Sequence, residues 1–305
     1  MPELPDVLVY CEAIAERVVG RPLTRIRLGS PFVLRTYAPP ASAFEGKKVT
    51  AVERMGKRIV LAFEGDLFAV IHLMIAGRFK WGPVAAKLPG RLGLVAFDFA
   101  DGTLILTEAG TKKRASLHLV QDREGVCALH AGGVELDACD EATFFATLTR
   151  ENHTLKRSLT DPRIFSGIGN AYSDEILWDA QLSPVKLTSR LTRPESDKLL
   201  ASARSTLERF TSMLRAEAKK RFPEKVTAFR PEMAVHGRYG MPCPRCNEKV
   251  QRIVFATNEH NYCPTCQTGG KLLADRGLSR LLREDWPKSV EELDEMKAVR
   301  RSGGS

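Results

Sequence analysis

The chain has 305 residues, of which 43% are hydrophobic and 27% charged, enough to close two cores, and no apolar run approaches the roughly 20 residues that cross a bilayer. Lys plus Arg outnumber Asp plus Glu by 46 to 37, a net charge of +9 that favours a polyanionic partner because each neutralised phosphate releases counterions. Seven cysteines, an odd number, argue against a disulfide framework.

The opening Met1-Pro-Glu-Leu-Pro-Asp6 is acidic and proline-broken, which does not suit a signal or transit peptide, so a soluble intracellular protein is expected. Val7, Cys11, Ile14 and Val18 repeat at helical spacing and predict an amphipathic helix over 6–19, with Gly20 as its stop. From Thr24 to about Val126 the pattern changes to short strands. Asp101-Gly102 reads as a hairpin turn leading into Thr103–Leu106, and the run as a whole suggests a β-sandwich or barrel. The stretch Ala131–Asp140 reads as a linker. Helical patterns follow from Glu141 to about Lys220, broken by Ser166-Gly-Ile-Gly-Asn170 and by Ser183-Pro184. Ser289 and Glu292 signal a capping box for a final charged helix, most simply a solvated appendage, and the tail from Arg301 to Ser305 is expected to be disordered.

Cys11, Cys127 and Cys139 stand alone and are expected to be small buried or half-buried hydrophobes. Cys243-Pro-Arg-Cys246 and Cys263-Pro-Thr-Cys266 form two knuckles separated by 16 residues, around Val250–Phe255 of strand character. That spacing suits four thiolates on one tetrahedral zinc, and with every position a cysteine the ion is structural. Zinc ribbons serve many functions, so the module names none.

The small residues of Ser166–Asn170 would let Gly167, Gly169, the next helix N-terminus and the Asn170 amide face one phosphate, with Lys156, Arg157 and Arg163 nearby. An ordinary interhelical turn accounts for the same residues. At the amino terminus, removal of Met1 would expose the secondary amine of Pro2, able to attack a sugar C1′ and form an iminium ion, beside Glu3 as proton donor. A frayed tail that happens to begin with proline accounts for these residues too.

The order of Met1–Asp6, Gly56-Lys57-Arg58, His72-Leu73-Met74, the helix–two-turn–helix stretch Ser166–Pro184 and the four-cysteine finger resembles the formamidopyrimidine-DNA glycosylase / endonuclease VIII family, over about residues 2–268 and closer to the first branch. The resemblance implies an α+β multidomain protein. Residues 1–135 would be a catalytic β-sandwich, 136–233 a helix–two-turn–helix DNA-binding domain, 234–270 a zinc finger and 271–305 a charged extension, with a basic cleft between sandwich and helical domain. It also implies a bifunctional DNA glycosylase and AP lyase of base excision repair. Pro2 would be the nucleophile, Glu3 its acid–base partner and Lys57 a phosphate ligand. Asn170 and the Gly167–Gly169 backbone would bind a phosphate, helped by Lys156, and Met74 would fill the space left by the flipped base. Partners would be damaged double-stranded DNA, with single-stranded or bubble DNA as further substrates, and no membrane. The protein would be a monomer of bacterial cytoplasmic, nucleoid-associated type.

There are departures from the family pattern. The loop Thr107–Ser116 has no phenylalanine, leaving Arg114 or Lys113 to accompany Met74. Asn258 stands five residues before the third cysteine where the family usually has arginine, and Arg252 on the opposite hairpin strand is a stand-in. A weaker wedge would favour abasic and ring-opened lesions over 8-oxoguanine paired with cytosine. Two rivals share these features: a catalytically silent binder of damaged DNA, and a zinc-ribbon RNA- or protein-binding protein with a fortuitous amino terminus.

Overall fold

The computed structural model describes residues 1–219, 221–224, 226, 229–255, 259–274 and 286–302, which excludes Asn258 and the last three residues of the tail. Among the described residues no helix is long and apolar enough to cross a membrane. The fold is mixed α+β and forms two compact units. The first comprises Met1–Glu135, Phe165–Ile168 and Leu207–Ala228, and the second the remainder. The chain therefore returns twice to its first unit instead of completing it in one pass.

In the first unit, helix α1 (Leu4–Val18) starts two residues before the predicted helix because Glu3 serves as its N-cap and Leu4-Pro5 occupy the first turn, where proline costs no hydrogen bond. The predicted apolar positions are all buried, and so are Leu4, Val9, Tyr10 and Ala13, so the helix is enclosed on more than one face. Eight strands follow: β1 (Arg25–Leu28), β2 (Val49–Met55), β3 (Arg58–Phe63), β4 (Leu67–His72), β5 (Gly77–Gly82), β6 (Gly93–Phe99), β7 (Gly102–Glu108) and β8 (Ser116–Gln121). They make two antiparallel sheets, ordered β1-β6-β7-β5 and β2-β3-β4-β8. Alternation along the strands sends Ile59, Leu61, Phe63, Ala69 and Ile71 from one sheet, and Phe79, Val95, Phe97, Leu104 and Leu106 from the other, into one core with α1. The opposite face of β3 and β4 carries Val60, Ala62, Phe68 and Val70, packed with Val126 of helix α2 (Asp122–Cys127).

The predicted β6–β7 turn is displaced by one residue. Phe99 pairs with Gly102, so Ala100-Asp101 form the loop and Gly102 is the first residue of β7. Its glycine answers a close approach, since a Cβ there would lie 2.3 Å from the Trp81 ring.

The second unit holds helices α3 (Glu141–Thr149), α4 (Leu155–Thr160) and α5 (Asn170–Asp179), the first half of α6 (Arg193–Ala218), the hairpin β9 (Gln251–Val254) and β10 (Glu259–Tyr262), α7 (Pro264–Thr268) and α8 (Val290–Ser302). Asp140 and Thr154 cap α3 and α4 by accepting the N–H of Thr143 and Arg157. Ser289 accepts the Glu292 N–H and starts α8 as predicted, but the helix runs through Arg301 and Ser302, which were expected to be disordered. Nor is it a free appendage, since Asp294 accepts from Lys249 Nζ at 2.6 Å. Cys11 and Cys139 are buried as expected and Cys127 is exposed.

Replacing Gly102 by alanine should lower stability by about 1–3 kcal/mol, the usual cost of forcing a side chain into a packed site. A lower urea midpoint at unchanged slope would be the expected record.

Candidate active site

The amino terminus is held by α1. Glu3 N–H donates to Asp6 Oδ2 at 2.9 Å, and the Glu3 carboxylate accepts the Asp6 N–H, a reciprocal capping box. Leu4 N–H donates to the Gly167 carbonyl at 2.9 Å. Gly167 has φ +87°, and a Cβ on it would lie 2.9 Å from Leu4 Cβ, so glycine is required on both counts. Pro2 and Glu3 are buried. Burial draws the pKa of the Met1 terminal amine below its usual value. The charges of Glu3 and Asp6 oppose that shift, and those of Arg78 and Lys57 reinforce it.

Lys57 occupies the turn between β2 and β3, next to Gly56 at φ +58°. Burial lowers its pKa and the neighbouring Glu3 charge raises it. The turn is clamped by Glu135, whose carboxylate binds Arg54 Nη2 at 2.5 Å and Nη1 at 3.2 Å, the Gly56 N–H and the Ser166 side chain. Desolvation works against the Glu135 charge, but these donors outweigh it and hold its pKa low. Pro2, Glu3 and Lys57, far apart in sequence, are thus gathered in the first unit together with Arg78, which sequence reasoning missed. Arg78 donates to the Val226 carbonyl at 2.6 Å, a contact that no local signal announces.

The structure revises the expectation for Met74. It stands in the turn after β4 with φ +51°, half-buried, and its Sδ lies against His72 Nδ1. Ile75, the next residue, is 56% exposed and is the apolar side chain this turn presents. In the loop after β7, buried Glu108 accepts the backbone N–H of Arg114 at 2.8 Å and Ala115 at 3.1 Å, while Lys113 Nζ donates to the Glu108 carbonyl. Lys113 is thus tied back into its own loop, and Arg114 is exposed.

In the second unit, Gly169 caps α5, and Asn170 Nδ2 donates to the Glu259 carbonyl of the hairpin at 3.0 Å. Lys156, expected at a phosphate, is only 1% exposed. Its ammonium meets Asp174 Oδ1 at 2.5 Å and the Asn170 carbonyl at 2.6 Å, so it positions Asn170 from inside. Asp174 also meets His236 Nδ1 at 2.8 Å, and Glu175 accepts the N–H groups of Ala234, Val235 and His236 at 2.7–2.9 Å. Arg252 is paired with Glu259 at 2.8 Å and lies over the Tyr239 ring. Asn258 lies outside the described residues.

The four cysteine sulfurs lie within 4.8 Å of one another, with Cys243 to Cys266 at 3.9 Å and Cys246 to Cys263 at 3.3 Å. Zinc–sulfur bonds of 2.3 Å in a tetrahedron require sulfurs about 3.8 Å apart, so the set fits one structural zinc ion. Burial would raise the Cys243 thiol, but the Arg245 N–H, the Trp178 indole at 3.3 Å and the Cys246 N–H bring it down to about 7. Burial of Cys263 and Cys266 pushes their thiols up, and zinc would supply the positive charge that favours their thiolates.

Three family models match in order: the formamidopyrimidine-DNA glycosylase N-terminal domain over residues 1–116, its H2TH domain over 134–219, and the zinc finger found in FPG and IleRS over 240–269. The formamidopyrimidine-DNA glycosylase of Acidothermus cellulolyticus is 32% identical over 280 residues, covering 88% of this chain and 97% of the relative. That of Thermus thermophilus is 30% identical, with 88% and 100% covered. Among solved structures, a Lactococcus lactis FPG variant in complex with Fapy-dG-containing DNA superposes with a TM-score of 0.78 at 25% identity, over 88% of this chain and all of that one. MutM in complex with DNA containing carbocyclic 8-oxo-G gives the same TM-score at 24% identity. The chain belongs to the formamidopyrimidine-DNA glycosylase family.

Elemental analysis should find one zinc per chain. Because the Trp178 indole bonds to Cys243, stripping the metal with a chelator should change tryptophan fluorescence, and Trp178→Phe should abolish most of that change.

Proposed function

We propose that the protein is a bifunctional DNA glycosylase and AP lyase that removes oxidised or ring-opened bases during base excision repair. The observation that carries this reading is the burial of Pro2 and Glu3 at the amino terminus, in the unit that also holds Lys57 and Arg78. A neutral amine is the nucleophile that imine chemistry requires, and a buried site favours that form over the charged one.

With Met1 removed, the Pro2 nitrogen attacks C1′ of a flipped nucleotide. The C1′–base bond breaks, the base departs with the electron pair and is protonated, and Glu3 donates a proton as the sugar ring opens. The resulting iminium acidifies the C2′ hydrogens. Loss of one expels the 3′ phosphate, and a second elimination expels the 5′ phosphate, leaving a one-nucleotide gap. Lys57, Asn170 and the N-terminus of α5 take phosphates of the bound strand, and Arg252 supports the finger's approach to DNA. Ile75 takes the wedge role first given to Met74. The similar FPG bound to Fapy-dG-containing DNA supports the substrate class. Abasic and ring-opened lesions, which are already loose in the duplex, are preferred over 8-oxoguanine paired with cytosine.

Borohydride treatment with an abasic-site duplex should trap an adduct that maps to residue 2. Pro2→Gly should lose most trapping, and Glu3→Gln should lose base excision more than abasic-site cleavage. An adduct on an internal lysine would overturn the nucleophile. Duplex binding without any adduct would make the protein a silent binder of damaged DNA.

Single-turnover excision from a paired duplex should fall by about tenfold in Ile75→Ala, the scale of a few kcal/mol of unstacking left partly uncompensated. The same variant should fall less on bubble substrates, and Met74→Ala should have the smaller effect. A larger loss in Met74→Ala would return the wedge to that residue.

A further inference from the structure

Several arginines of the first unit are matched to carboxylates: Arg27 to Asp98, Arg54 to Glu135, Arg123 to Glu53 and Arg215 to Glu12. Arg58 is different. It opens β3 on the face that carries Val60 and Ala62, is half-buried, and its Nε is enclosed with no hydrogen-bond partner among the described residues. In register across the sheet, Arg58 stands opposite His72, and His72 opposite Ser116. His118 is the next residue of β8 on that face, opposite Val70, and its Nδ1 is likewise enclosed without a hydrogen-bond partner.

The surrounding charges are of one sign. Burial, then Arg58, Lys57 and His118, bring the His72 pKa down to about 4. Burial, then Arg58 and Arg35, lower that of His118, and a hydrogen bond to the Val70 backbone opposes the shift. Burial alone lowers that of Arg58. Glu53 on β2, opposite Val60 on that face, is already bound bidentately by Arg123. A half-buried guanidinium without an anion is a destabilising arrangement unless a ligand completes it. The row is half-buried, spans three strands and continues into the Lys57 turn, which suits a polymer backbone better than a fully enclosed small anion.

We propose that Arg58 and His118, with His72 between them, form a phosphodiester seat on the outer face of the β2-β3-β4-β8 sheet, one phosphate along the strand from that taken by Lys57. The proposal rests on the DNA-glycosylase reading. Arg58 supplies the charge and, through its terminal nitrogens, a planar pair of donors, and His118 lines the seat beside it.

The test is anisotropy titration of a labelled duplex carrying a tetrahydrofuran abasic analogue. Arg58→Gln should weaken binding about tenfold, the size of one charge-assisted hydrogen bond, and lower the slope of log affinity against log salt by about one. His118→Gln should give a smaller loss, and Arg58→Lys should recover much of the affinity. A neutral methylphosphonate placed phosphate by phosphate should cost the wild type affinity at one position next to the Lys57-sensitive one, and Arg58→Gln should be indifferent there. Unchanged affinity and slope in Arg58→Gln, or methylphosphonate sensitivity equal to wild type, would overturn the seat. So would a fall in urea midpoint with a loss of binding that lysine does not restore, since that marks a structural role. Competition by inorganic phosphate at matched ionic strength, lost in Arg58→Gln, would assign a small-anion site and overturn the strand reading. Failure of the wild type to bind or trap abasic duplex overturns the enzymatic reading as well, whereas normal trapping with an indifferent Arg58→Gln overturns the seat alone.

Discussion

Pro2, the proposed nucleophile, stands next to a chain terminus, and termini ordinarily fray unless they are tied down. Here the constraint is met by the 2.9 Å hydrogen bond from Leu4 N–H to the Gly167 carbonyl, together with the capping box that locks Glu3 to Asp6. Gly167 belongs by sequence to the loop between helices but by packing to the sandwich unit, where only glycine tolerates both its positive φ and the approach of Leu4. Loss of that contact would release the first turn of α1 and with it the position of Pro2.

Glu135 extends the same constraint. Its carboxylate joins Arg54 and the Gly56 N–H of the Lys57 turn to Ser166, in the segment that anchors Leu4. The first turn of α1 and the turn that carries Lys57 are therefore held by one connected set of hydrogen bonds. Such a network is rigid because each buried member has its partners supplied by the others.

In the second unit the equivalent task falls to two adjacent acids on α5. Asp174 gathers Lys156 and His236, and Glu175 gathers three backbone N–H groups ahead of the first zinc knuckle. Burial of Glu175 pushes its pKa up, and the three N–H groups that converge on it pull against that shift. These acids tie the start of the finger to α5, at whose N-terminus Asn170 stands.

What the sequence determined by itself was whatever depends on local periodicity or short spacing: the leading helix, the strand-rich first half, the cap at Ser289 and the paired cysteine knuckles. The tertiary structure decided how each side chain is used. Lys156 reads as a surface cation but is enclosed by Asp174, and Met74 reads as the inserted residue but is turned onto His72 while Ile75 faces outward. Arg78 and Glu135 gave no signal, because their partners lie 148 and 81 residues away. Gly102 was legible as a turn residue, yet it is required by the Trp81 ring on another strand. The division has one physical reason: spacing along the chain encodes which face a residue occupies, whereas its charge state, burial and partner depend on which distant segment packs against that face.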